Sequence, residues 1–129
     1  GMQHIVDFDT DVSNILEKPQ PGGLSGLKVE KKFEDNFKMG KVAKLEFTVT
    51  NANGDSVSIK EKFLAANAHM IVIDESLKEF GHTHDENFDG DNILSFDYNF
   101  IEIGLHKIWV QFSVDGITRT VEFMMDVYE

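Results

Sequence analysis

Imidazole and carboxylate are the main metal-ligating and acid–base groups this chain has to offer, because its 129 residues include no cysteine. Five histidines are present: His4, His69, His82, His84 and His106. His82 and His84 flank Thr83, and in an extended segment side chains at i and i+2 point to the same side. Both rings can therefore face one ion, as an imidazole pair for copper or zinc requires. His69 opens the apolar run His69-Met70-Ile71-Val72-Ile73, thirteen residues before His82. If that run lies beside residues 82–84, His69 supplies a third nitrogen. The plainer reading of the same residues is a pair of exposed loop histidines, with His69 hydrogen-bonded at a strand edge.

Other candidates are weaker. Counted by twos, His106 falls on the same side as Ile108, Val110 and Phe112, which reads as a satisfied core histidine. Asp85, Glu86, Asp89 and Asp91 follow the histidine pair and, with Gly90, suggest a loose calcium loop. Their spacing departs from the EF-hand pattern, so a solvated acidic hairpin loop is the simpler reading. Such carboxylates would still favour a cation held by His82 and His84, or accept from the outer imidazole N–H groups. Met39, Met70, Met124 and Met125 form no Met-x-Met or Met-x-x-Met cluster and read as packing residues. No Gly-x-Ser-x-Gly, P-loop or Gly-x-Gly-x-x-Gly element is present, and Ser76, Ser95 and Ser113 lack the context of a nucleophile. The chain carries no enzyme signature.

The elements that must position these residues follow a period of two from residue 27 onward. Leu27 and Val29 alternate with Lys28 and Glu30; Leu45, Phe47 and Val49 with Glu46, Thr48 and Thr50. Leu94, Phe96, Tyr98 and Phe100 continue the pattern, as do Ile108, Val110 and Phe112, then Val121, Phe123, Met125 and Val127. Asn53-Gly54 and Asp115-Gly116 are hairpin signals, and Val57 and Ile59 begin a further short run. Only residues 60–67 and 74–80 tolerate a helical turn. The pattern predicts an all-β, immunoglobulin-like antiparallel β-sandwich of about seven strands over 27–129. Residues 1–26 hold both prolines, Pro19 and Pro21, and a glycine pair, and read as an N-terminal arm or linker.

Composition narrows the function. Twenty-three acidic against 12 basic residues give a net charge of −11, the wrong sign for a nucleic-acid or anionic-membrane partner. A 41% hydrophobic fraction is too rich for a disordered chain. No run approaches the roughly 18–20 apolar residues that span a bilayer, so no transmembrane segment is expected. Nor is there a basic segment leading into an apolar one, as in a signal peptide. Gly1 ahead of Met2 reads as the remnant of a cleaved tag, which leaves export open.

Gly40-Lys41, Leu45–Val49, Asn53-Gly54-Asp55-Ser56-Val57 and His69–Ile73 continue through Asp74 and Leu77 to Phe80-Gly81-His82-Thr83-His84. Over about residues 38–127 this series resembles the YtkA-like domains, small extracytoplasmic bacterial β-sandwich domains with a Phe-x-His-x-His-Pro segment. The resemblance implies an immunoglobulin-like sandwich that is secreted, periplasmic or membrane-tethered, with a metal-handling protein as partner. Carried over by position, the family's histidines fall on His69, His82 and His84. Asp85 stands where the family usually has proline, and His106 stands where an aromatic is usual. That departure either buries a polar group or adds a fourth imidazole.

Two functions follow. The first is an accessory domain binding a divalent metal, copper or zinc, through His69, His82, His84 and His106, with Asp85 or Glu86 tuning the site. The second is a structural or protein-interaction module with neither metal nor catalytic role, using an aromatic patch drawn from Phe33, Phe37, Phe63 and Trp109. A small hydrolase would need an open zinc with a bound water at His82 and His84, and is the least supported.

Overall fold

The computed structural model describes residues 26–34, 36–59, 68–86 and 92–129. Eight strands form among them: β1 (Leu27–Lys31), β2 (Asn36–Lys38), β3 (Val42–Asn51), β4 (Ala68–Asp74), β5 (Phe80–His84), β6 (Ile93–Asn99), β7 (Gly104–Val114) and β8 (Ile117–Tyr128). They make a three-stranded sheet, β1-β3-β6, and a five-stranded sheet, β2-β8-β7-β4-β5. No helix occurs among the described residues.

Alternation decides which side of each strand is buried. Ala43, Leu45, Phe47 and Val49 of β3 and Leu94 and Phe96 of β6 face Met70 and Val72 of β4, Ile108, Val110 and Phe112 of β7, and Met125 and Val127 of β8. Phe47 lies at the centre, with ring centroids 5.1 Å from Phe33, 6.0 Å from Phe96 and 4.9 Å from Phe123. Met70 and Met125 are thus packing residues. Asp115 and Gly116 take φ of 55° and 74°, the left-handed pair that a tight two-residue hairpin needs, and fix the eleven-pair β7–β8 register.

Three details differ from the sequence expectation. The strands number eight, and β2 runs parallel to β8, so the sandwich is not wholly antiparallel. Residues 57–59 form no strand: the neighbouring Ser56 makes one bridge to Thr50, Val57 N–H donates to the Val49 carbonyl at 3.1 Å, and Ile59 is buried. Residues 75–79 form a turn rather than a helical one: Leu77 sits at φ 61°, and the Asp74 carboxylate accepts from the N–H groups of Ser76, Lys78 and Glu79 and from the Ser76 hydroxyl. That satisfies the backbone donors locally. The arm (save Gly26), His4, Phe63, residues 60–67 and the acidic stretch 87–91 lie outside the described residues.

Candidate metal centre

Residues 69, 71 and 73 of β4 face away from the core, since Met70 and Val72 face into it. In the antiparallel β4–β5 register His69 pairs with His84 and Ile71 with His82. His69 therefore has one imidazole directly opposite and a second on the diagonal, both within side-chain reach. Ring centroids stand 4.6 Å apart for His69–His84 and 5.1 Å apart for both His69–His82 and His82–His84. His69 Nδ1 and His82 Nε2 are 3.0 Å apart, a hydrogen bond in which one ring donates and the other accepts.

One nitrogen from each of the three rings lies within 4.8 Å of the other two. Metal–imidazole bonds of about 2.0–2.1 Å in tetrahedral geometry set nitrogens about 3.3 Å apart, so modest ring rotation closes the set on one ion. His69 is buried between β5 and β7, while His82 and His84 are exposed. Desolvation first, and then the nearness of His69 and His84, hold the His82 pKa below the ordinary imidazole value. The neutral, lone-pair-bearing form that ligates a metal is thereby favoured.

His106 does not join them. It projects from β7 into the sandwich, fully buried, with Nδ1 2.9 Å from the Gly104 carbonyl and Nε2 2.8 Å from Glu79 Oε1. Both nitrogens are engaged, as parity with Ile108 and Val110 predicts and as a fourth ligand beside the trio would not be. Glu79, itself buried, also accepts from the Tyr98 hydroxyl at 2.6 Å and from the N–H groups of Ile101 and Glu102 at 3.2 and 2.9 Å. Burial, and then the bond to Glu79, raise the Tyr98 pKa.

Asp85 is buried, and its Oδ1 accepts from Ser95 N–H of the opposite sheet at 2.8 Å. Alternation turns it to the inner side with Gly81 and Thr83, away from the imidazoles. Glu79 is the residue that sequence reasoning missed; inside Lys78-Glu79-Phe80 it looks like any turn carboxylate. Parity with Gly81 was the available signal. A Cβ on Gly81 would lie 2.1 Å from the Tyr98 hydroxyl, so only glycine lets that ring cross β5.

Phe33 and Phe37 pack on the core and on each other, not in an outer patch. Trp109 lies on the outer face with Lys107 Nζ 5.2 Å from its ring centre, but only 5% of it is exposed. Lys107 in turn pairs with Glu122 at 3.2 Å.

Two facing sheets with this strand order define an immunoglobulin-like sandwich. The crystal structure of the Lin-41 filamin domain is similar, with a TM-score of 0.54 at 11% identity over 80% of this chain and 92% of that one. At that identity the likeness concerns the fold alone. The chain belongs to the family described as Domain of unknown function (DUF8832), which it matches over residues 23–129. No curated protein matches the sequence. Among the described residues no helix is long and apolar enough to cross a membrane.

Proposed function

We propose that this protein is a non-catalytic accessory module that binds a divalent metal, Cu(II) or Zn(II), through His69, His82 and His84. The observation that carries the reading is the convergence of three imidazole nitrogens within 4.8 Å from two paired strands. Imidazole suits both ions, and the usual divalent order favours Cu(II). With two ligands exposed, the site is open to exchange with a metal-handling partner. The resemblance to YtkA-like domains supports such a partner and a place outside the cytoplasm.

Calorimetric titration of the metal-free protein with Cu(II) or Zn(II) at neutral pH tests this. One ion per chain is expected, with affinity falling as pH drops through the imidazole range near 6.5. An equal heat from the His82→Ala/His84→Ala double variant would sink the proposal.

A second reading, a protein-interaction module, draws on another observation. Val42, Phe80, Ile101, Ile103 and Tyr128, each more than half exposed, all lie at the end of the sandwich where β3, β5 and β7 begin and β8 ends. Exposed apolar clusters of this kind mark contact surfaces. Light scattering across a concentration series reads self-association there, and Phe80→Ser with Ile101→Ser should lower it. A strict monomer with no partner in pull-downs would count against this reading.

A further inference from the structure

We infer that Asp85 is a positioning residue for the histidine site, and that an ion bound on the outer face tightens the seam between the two sheets. The inference rests on the metal reading above. β5 supplies two of the three imidazoles, yet it is a five-residue strand at the end of its sheet. Slippage by one residue would turn His82 and His84 to the inner side. What holds its register lies at its two ends.

At the C-terminal end, Asp85 N–H donates to the Ala68 carbonyl at 3.0 Å, and Glu86 N–H donates to the Ser95 carbonyl at 2.6 Å. The Asp85 carboxylate receives Ser95 N–H. At the N-terminal end, Glu79 holds Tyr98, whose ring passes over Gly81. Ser95 and Tyr98 both belong to β6, in the opposite sheet. β5 is thus bonded to β4 along its length and tied to β6 at each end, and Asp85 is the residue next to His84. If a closed seam favours the ion, the ion favours a closed seam by the same factor. Metal on the outer face must then protect Ser95 N–H.

The full chain is titrated with Zn(II), and amide exchange at Ser95 is followed with and without the ion. With free zinc near 100 times Kd, Ser95 exchange should slow by up to about 100-fold, the limit when seam opening releases the ion. Asp85→Ala should weaken zinc binding by about 10-fold, the scale seen when a supporting residue behind a ligand is removed. Asp85→Asn, whose amide oxygen still accepts from Ser95 N–H, should restore most of that loss. Val127→Ala, a core truncation on β8, lowers stability without touching β5 and should leave affinity unchanged. If Asp85→Ala fails to fold, Tyr98→Phe loosens the other end by a single donor and should weaken zinc a few-fold.

Unchanged Ser95 exchange in zinc-bound wild type would overturn the inference while leaving the metal site standing. So would wild-type affinity in Asp85→Ala, or an equal loss in Val127→Ala. If the wild type binds no zinc, the metal reading fails and takes this inference with it.

Discussion

His106 and the His69–His82–His84 group stand on opposite faces of one sheet, and their partners differ in kind. His106 has a carbonyl on one nitrogen and a buried carboxylate on the other, so no lone pair is left for an ion. The outer three stand together: the hydrogen bond between His69 and His82 joins two imidazoles, and among the described residues no carboxylate belongs to the group. A histidine fully bonded to carboxylate and carbonyl is a structural element; an imidazole nitrogen that faces a second imidazole is one that the proposed metal could take in exchange for that bond. The parity of a strand assigns each to its class.

The largest effect that could break this contrast is on stability. His106→Ala leaves the Glu79 carboxylate buried without its ring partner, and should cost about 3–5 kcal/mol in urea denaturation. A loss below about 1 kcal/mol would mean that His106 is no more structural than the outer three. Next, zinc near 100 times Kd should raise wild-type unfolding free energy by about 2.7 kcal/mol. The His82→Ala/His84→Ala variant should show none of that gain, and its metal-free stability should change by no more than about 0.5 kcal/mol.

Two smaller effects are read by pH. Burial alone would raise the Asp74 pKa, but the Ser76 hydroxyl and the N–H groups of Glu79, Ser76 and Lys78 outweigh it and hold the value below the ordinary carboxylate one. Its contribution is present above the unfolded-chain value near 4 and is lost as pH falls through the lower folded value. Asp74→Asn should therefore flatten the acid limb of the stability curve. Smallest is His82, whose folded pKa is also depressed. The metal-free protein should lose a little stability as pH falls from the unfolded-chain value near 6.5 toward the folded one, because the unfolded chain takes the proton more readily. His82→Ala should remove that slope. An unchanged slope would show that it does not originate at His82.

Alternation of apolar residues made β3, β6, β7 and β8 legible, and Asp115-Gly116 made their last hairpin legible, because a half-buried strand and a tight turn each leave a local mark. His82, His84 and the side of the sheet taken by His106 could be read in the same way. The His69–His84 register could not: it depends on how long the β4–β5 turn is, and the Asp74 carboxylate decides that by gathering four donors. β2 was equally hidden, since three residues pairing in parallel with the end of the chain carry no pattern of their own. Glu79 carries no mark of its own in the sequence, and Asp85 reads there as part of a solvated acidic loop, because their partners, Tyr98, His106 and Ser95, lie 10 or more residues away in sequence.

The close approach of the Tyr98 ring to Gly81 has a consequence for descent. The tyrosine ring fills the volume that any side chain at position 81 would occupy, so neither position can drift alone. Lineages that acquire a side chain at 81 should have lost the ring at 98, and with it one reason to keep an acid at 79. These three positions should therefore change as a block, while His82, one residue from Gly81 but on the other face, is free to vary independently of them.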